Sequence, residues 1–376
     1  MYTYLHIPFC PSRCIYCDFY SQTKRRLIPE YIEALMHEIR YRHEKQTDLS
    51  TLQSIYFGGG TPSQLQPEHI ARLIDLLEDV YGIEEKAEIT LEANPEDLTA
   101  EYVEQIAALP INRISMGIQS WQDKDLHFLR RRHTAKSAES AVKRCQDAGL
   151  DNISLDLIYG LPQQTLPLWQ KNLQQTIALH PRHISAYHLI YEEGTPLYHL
   201  LSTKQISEID EELSLDLFSC LIDTLSEAGY EQYEISNFAQ KGYRAVHNSA
   251  YWQGKPYMGF GPAAHSYDGR TCRRANTPDL DLYLHATNRG EDSPHTDELL
   301  SPTDLINEAV LCGLRTVEGL MQSSFVERFG KTCWQQIRKK ALPYLQKGLL
   351  EENSQGIKLS REGIFLSDTI MSDLFC

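Results

Sequence analysis

The chain has 376 residues, 41% of them hydrophobic, a formal net charge of −15 and nine cysteines. That is enough apolar material for one large domain and a small one. The acidic balance and the lack of a long basic run exclude nonspecific nucleic-acid binding, and no apolar run reaches the length of a membrane-spanning helix.

Met1 leads almost at once into the first predicted strand, Tyr2 to Ile7, so no signal peptide is expected. Pro8 ends that strand and the loop Cys10-Pro11-Ser12-Arg13-Cys14-Ile15-Tyr16-Cys17 follows. Its C-x3-C-x2-C spacing can turn three thiolates toward one centre, one short of the four that close a zinc or ordinary iron–sulfur site. A disulfide would leave an odd thiol, and a zinc ribbon would need a second close cysteine pair that the chain lacks. The spacing therefore points to a [4Fe-4S] cluster on Cys10, Cys14 and Cys17, with one iron open to a small molecule. The number of cysteines otherwise fits a reducing cytosol. Cys145 and Cys220 fall on apolar helix faces and read as core residues.

Strand and helix then alternate. Ile32, Leu35, Met36 and Ile39 form one apolar helical stripe. The predicted strand Ser54 to Phe57 runs into Gly58-Gly59-Gly60-Thr61-Pro62, and Ile70, Leu73, Ile74 and Leu77 mark the next helix. Glu88 to Ala93 is a third strand, with Val103 and Ile106 on its helix. Arg113 to Ile118 is a fourth, ending at Gln119, with Ala138, Ala141, Val142 and Cys145 following. Asn152 to Tyr159 is a fifth, before Gly160-Leu161-Pro162 and the helix of Trp169 and Leu173; His183 to Ile190 is a sixth. Six alternations predict parallel strands with right-handed crossovers. A barrel-like (β/α)6 sheet explains better than an open one why every suspicious residue lies at or after a strand end. The cysteines follow strand one, the glycines strand two, Glu92 ends strand three, Gln119 follows strand four and Asp156 lies in strand five. Glycines at 58–60 would let a ligand approach backbone N–H donors, although a tight turn alone would also use them. Glu92 suits a ribose hydroxyl, or simply a helix cap.

Beyond residue 200 the pattern changes. Ile209 to Glu227 is a long amphipathic helix closed by Gly229, and Tyr230 to Ile235 reads as a strand. The stretch Ser236 to Asn276, rich in Gly, Tyr and His, is expected to be an irregular functional loop, and residues 286–301 a polar linker. Helical stripes from Ile306 onward and a short hairpin at 348–359 suggest a winged helix. With nine Lys and Arg against nine Asp and Glu over residues 301–376, it is a poor phosphate binder and reads as a packing or partner module.

Tyr4-x-His6-Ile7-Pro8-Phe9-Cys10 through Cys17-Asp18-Phe19, with the glycine stretch at 58–62 and Asp156-Leu157-Ile158-Tyr159-Gly160-Leu161-Pro162, resembles the radical SAM superfamily over nearly the whole chain, in its oxygen-independent coproporphyrinogen oxidase branch. His247-Asn248-x-x-Tyr251-Trp252 looks like the heme-binding motif of the HemW heme chaperones in that branch. The resemblance implies an α/β fold: a partial (β/α)6 radical SAM barrel over residues 1–235, a heme-binding loop and linker over 236–300, and a winged-helix-like α+β domain over 301–376. It implies a [4Fe-4S] cluster chelating S-adenosylmethionine (SAM) at its open iron. Tyr4, Tyr16, Gly59, Gly60, Thr61, Glu92, Gln119, Arg131 and Asp156 match family positions around that cofactor, and His247 would ligate heme, with His265 its rival in the same loop. The implied function is delivery of heme to membrane-associated respiratory proteins from the cytoplasm, which leaves room for a peripheral membrane contact and a homodimer. The alternative is oxidative decarboxylation of coproporphyrinogen III. Two departures favour the chaperone side: only nine residues precede Cys10, and Phe19 stands where the oxidases carry a further cysteine.

Overall fold

A computed structural model describes residues 1–45 and 50–376. Six parallel strands, β1 (Tyr2–Ile7), β2 (Leu52–Gly59), β3 (Ile83–Ala93), β4 (Arg113–Gln119), β5 (Ile153–Tyr159) and β6 (His183–His188), lie side by side in chain order. Helices α1 (Ile28–Glu44), α2 (Pro67–Tyr81), α3 (Ala100–Ala107), α4 (Asp123–Phe128), α5 (Ala135–Asp147) and α6 (Leu166–Ala178) make the crossovers. Their ends follow local chemistry. Pro67 opens α2, where its missing N–H costs nothing, and Gly82 closes it at φ +72°. Thr134 and Ser137 form a reciprocal capping box on α5.

The strands alternate sharply. Leu5, Phe57, Leu91, Met116, Leu155 and Ile184 are fully buried and face the helices. The alternate positions are polar, and the register lines them into rungs: Tyr4 beside Tyr56, Tyr56 beside Thr90, Glu92 beside Ser115, Gly117 beside Asp156, and Asp156 beside Ser185. Parallel strands covered on both faces are usually apolar throughout. A polar inner face therefore marks the inside of this sheet as a site.

Past β6 come α7 (Pro196–Ser202), α8 (Glu211–Glu227) and the antiparallel strands β7 (Glu231–Glu234) and β8 (Asn237–Ala239) on the β6 side. The stretch expected to be an irregular loop is instead built of regular elements. It holds α9 (Val246–Trp252), β9 (Tyr257–Phe260), β10 (His265–Tyr267) and β11 (Cys272–Asn276), followed by α10 (Leu280–Asn288). The expected linker contains β12 (His295–Leu299), so the sheet reaches twelve strands, with β9 pairing parallel to β1. These strands are only three to five residues long, too short for period-two alternation to register.

One buried side chain shows how they are held. The Glu38 carboxylate on α1 accepts hydrogen bonds from the Gly261 N–H (2.8 Å), Asn276 Nδ2 (2.8 Å), the Tyr283 hydroxyl (2.8 Å) and Ser293 Oγ (2.7 Å), with Arg42 at 3.6 Å. A buried charge is tolerated when its acceptor sites are filled in this way.

The C-terminal domain has α11 (Pro302–Arg315), β13 (Leu320–Met321), α12 (Gln322–Phe329), α13 (Lys331–Gln346), β14 (Leu350–Glu352), β15 (Gly356–Leu359), α14 (Arg361–Ile364) and α15 (Ser367–Leu374). Its three-stranded sheet, ordered β13-β15-β14, matches the expected hairpin with one strand added. The domain has its own core around Val310, Phe325, Trp334, Ile337 and Ile370. It docks on the sheet through Arg315 to Glu234 (2.8 Å) and an isolated bridge between Glu234 and Thr316. Among the described residues, no helix is long and apolar enough to cross a membrane.

Candidate cofactor site and adjoining cavity

The cysteine loop leaves β1 and is pinned by the Cys10 N–H donating to the Gln22 carbonyl (2.9 Å) and the Gln22 N–H to the Pro8 carbonyl (2.6 Å). Two of the three thiols touch a polar group. Cys10 Sγ lies 3.3 Å from Thr61 Oγ1, and Arg131 Nη1 donates to Cys14 Sγ at 3.5 Å. Burial raises the Cys10 and Cys17 thiols, Cys17 to about 11, and neighbouring thiols add to the rise at both. Among the described residues no three such side chains surround a point where a single ion could sit. Thiolates bound to separate irons of one cluster would not. Three thiols in one loop, with a guanidinium on one and a hydroxyl on another, fit the chemistry of a [4Fe-4S] cluster.

Arg131 ties this loop to the barrel. Its Nη2 donates to Asn94 Oδ1 (2.6 Å) and the Gly117 carbonyl (2.7 Å). Burial works against its charge, but Tyr16, Cys14 and Glu96 outweigh that and keep it protonated, while its Nε is buried without a partner. Burial also drives the Tyr16 hydroxyl upward, against the pull of Arg131.

Gly59, Gly60, Thr61, Glu92 and Gln119 lie at or just after the C-terminal ends of their strands, but the two glycines act differently from expectation. The Gly60 N–H is spent on the Ile7 carbonyl (2.9 Å), and a Cβ there would meet Ile7 O and Phe9 N at 2.9 Å. At Gly59, φ +107°, a Cβ would strike the His6 ring at 2.7 Å, and its N–H turns to Glu92. These glycines make room for the chain itself rather than leaving free donors for a ligand.

Glu92 and Asp156 line the inner face below. The Tyr56 hydroxyl donates to Glu92 Oε1 at 2.7 Å, and Ser115 Oγ donates to Asp156 at 3.3 and 3.4 Å. Burial pushes the Glu92 carboxyl up to about 7 and Asp156 to about 6, against the hydroxyls that favour ionisation. Two carboxyls poised near neutrality suit hydroxyl recognition. Gln119 sits at φ +68° beside a bulge between β4 and β5, a backbone position that non-glycine residues adopt at some cost.

His247 departs furthest from expectation. It is 1% exposed, its Nδ1 lies 2.7 Å from Ser54 Oγ, its Nε2 lies 2.8 Å from the Tyr251 hydroxyl, and its ring stacks on Tyr56 at 5.0 Å. Burial lowers it to about 3. A neutral imidazole with both nitrogens engaged has none to offer iron unless Tyr251 moves away. Sequence reasoning missed Glu88, whose carboxylate accepts the N–H groups of Val246 and His247 at 3.0 Å each and caps α9. It also missed Arg113, buried with its Nε 4.0 Å from the Glu88 carboxylate and no hydrogen bond at Nε or Nη1. The signal was present: Glu88, Thr90 and Glu92 alternate on one strand face.

Beyond this mouth a cavity of about 1310 Å³ opens between the sheet and the C-terminal domain. Tyr4 and His6 border it on the cofactor side, Tyr251, Trp252 and His265 along its flank, and Phe325 on the far wall.

The family model for the Radical SAM superfamily matches residues 4–170, and that for the HemN C-terminal domain residues 300–366. A protein named heme chaperone HemW from Bacillus subtilis is 32% identical over 370 residues, covering 98% of this chain and 97% of its own. One of the same name from Haemophilus influenzae is 34% identical, covering 98% and 96%. The mitochondrial radical S-adenosyl methionine domain-containing protein 1 of Danio rerio is 30% identical, covering 98% and 85%. The solved coproporphyrinogen III oxidase (HemN) of Escherichia coli shares the fold at a TM-score of 0.84 over 99% of this chain and 89% of that one, with 22% identity. Near-full-length identity of this order, together with both family models, places the chain in the HemW heme chaperone family of the radical SAM superfamily.

Proposed function

We propose that the protein is a heme chaperone that carries a [4Fe-4S] cluster and SAM beside its heme and passes heme to membrane-associated respiratory proteins. Membership of the superfamily implies the cluster and SAM. The observation that carries the heme reading is the cavity of about 1310 Å³, large enough for a macrocycle and bordered by Tyr4, His6, Phe19 and Tyr20 next to the cysteine loop.

When bound, the cluster supplies an open iron for the amino and carboxylate groups of SAM. The chain's own residues prepare that position. Cys10, Cys14 and Cys17 would give the three thiolates, and the Arg131 guanidinium donates to Cys14 Sγ. The carboxyls of Glu92 and Asp156 accept hydroxyl hydrogens from the inner face of the sheet, and walls of Leu and Ile behind them exclude water. Flat aromatic residues along the cavity cover apolar faces.

A heme absorbance titration of the anaerobically purified protein, with and without its cluster, tests this reading, alongside an anaerobic porphyrinogen decarboxylation assay. Saturable heme binding without decarboxylation supports it. Decarboxylation without heme binding would favour the oxidase alternative.

A further inference from the structure

We infer that heme lies in the interdomain cavity with its iron on His265 rather than His247, and with its propionates at a rim made by Arg328, Lys255 and the Trp252 indole. The inference rests on the heme reading above but concerns only where and how the macrocycle is held.

Access separates the two histidines. His247 is covered on one side by Tyr56 and on the other by Tyr251, with both ring nitrogens hydrogen-bonded. His265, on β10, is exposed on the cavity wall, and its ring makes no hydrogen bond among the described residues. Its ring nitrogens are therefore open to a ligand from the cavity. His6, the other imidazole of this wall, is buried and held by the Tyr4 hydroxyl and the Tyr20 carbonyl, both at 3.0 Å.

The cations separate in the same way. Arg244 is paired with Glu318 at 2.7 Å and Arg273 with Glu308 at 2.8 Å. Arg328 has no acidic partner among the described residues; it donates to the Tyr267 hydroxyl at 3.0 Å and packs over Phe329. Its Nη1 stands 3.8 Å from where a Cβ on Gly254 would lie, which brings it to Lys255, a second lining cation without an ion pair among the described residues. Trp252 Nε1 is a buried donor with no acceptor. An orphan donor lining the same cavity as two cations without ion pairs is what a carboxylate would satisfy. Tyr267, which leads to Arg328, lies two residues along β10 from His265, about 7 Å on the same strand face. That is the scale of half a porphyrin, so one heme could reach both.

The test is a titration of the full chain with hemin and with hemin dimethyl ester, read by Soret absorbance and by electron paramagnetic resonance. His265→Ala should shift the Soret band and lower hemin affinity about tenfold or more, and added imidazole should restore the parent spectrum. Arg328→Met should weaken hemin by a similar factor while leaving the ester unaffected, because the ester carries no propionate charge. A His265→Ala protein with the parent spectrum and affinity would overturn the ligand assignment, and an Arg328→Met protein that loses hemin and ester equally would overturn the propionate assignment. If the parent itself binds no hemin, the heme reading fails first, which distinguishes the two failures. Circular dichroism checks that each variant is folded; both sites are on the cavity surface, so the fold should survive.

Discussion

Glu92 gives the sharpest quantitative expectation. Its carboxyl rises from an ordinary 4.5 to about 7 because burial disfavours the charge more than Tyr56 and Gly59 favour it, with Asp156 adding repulsion. The folded state therefore holds a proton that the unfolded state releases, so stability is greatest below about 4.5 and declines as pH rises through about 7. At 1.36 kcal/mol per pH unit the ionised side chain costs the fold up to about 3 kcal/mol above pH 8. Glu92→Gln imitates the protonated form. Denaturant unfolding of parent and variant from pH 4 to pH 9 should show the variant gaining about 3 kcal/mol relative to the parent across that window. The same linkage should make SAM binding to the parent release a proton near pH 7, measurable by calorimetry in buffers of different ionisation enthalpy. A constant difference between parent and variant across the range would refute the argument: Glu92 would then be ionised at ordinary acidity and the burial of its carboxyl inconsequential.

Anaerobic reconstitution of the parent should give about four irons per chain, and Cys14→Ala should lose most of them; a full cluster in that variant would remove the cysteine assignment. Gly60→Ala should cost about 1–3 kcal/mol, because its Cβ would meet backbone at 2.9 Å. Gly149→Ala, at φ +82° with open space around it, should cost about 1 kcal/mol from backbone strain alone; equal losses in thermal melts would mean that the close approach to β1 is not what selects glycine at 60. Glu88→Ala uncaps α9 and leaves Arg113 without its anion, a loss of about 3–5 kcal/mol. A melting temperature like the parent's would show that Glu88 does not hold the helix carrying His247.

The cysteine spacing and six strand–helix alternations made the barrel and its mouth legible, because period-two and period-3.6 patterns persist over long elements such as β3 and α2. Residues 237–299 were not, since strands of three to five residues are too short to print a pattern, and their pairing depends on distant partners such as Glu38 and β1. The glycines at 58–60 were recognised as special, but only spatial proximity shows that they yield space to His6 and Phe9. His247 was visible as a motif. Its burial was not, because the covering side chains, Ser54 and Tyr56, come from a strand almost two hundred residues earlier.

The Glu38 carboxylate has a consequence for how the molecule can be divided. It gathers donors from Gly261, Asn276, Tyr283 and Ser293 onto α1, the first α-helix after the cysteine loop, while β9 covers the edge of β1 that precedes that loop. Removing everything after residue 235 would leave a buried anion without its donors and β1 with a bare edge. The cysteine-bearing N-terminal segment and the strands from β9 to β12 are therefore one cooperative unit despite their separation in sequence. In hydrogen exchange, amides of β1 and β9 should open together. Limited proteolysis should find no cut between residues 257 and 276 that releases a stable barrel.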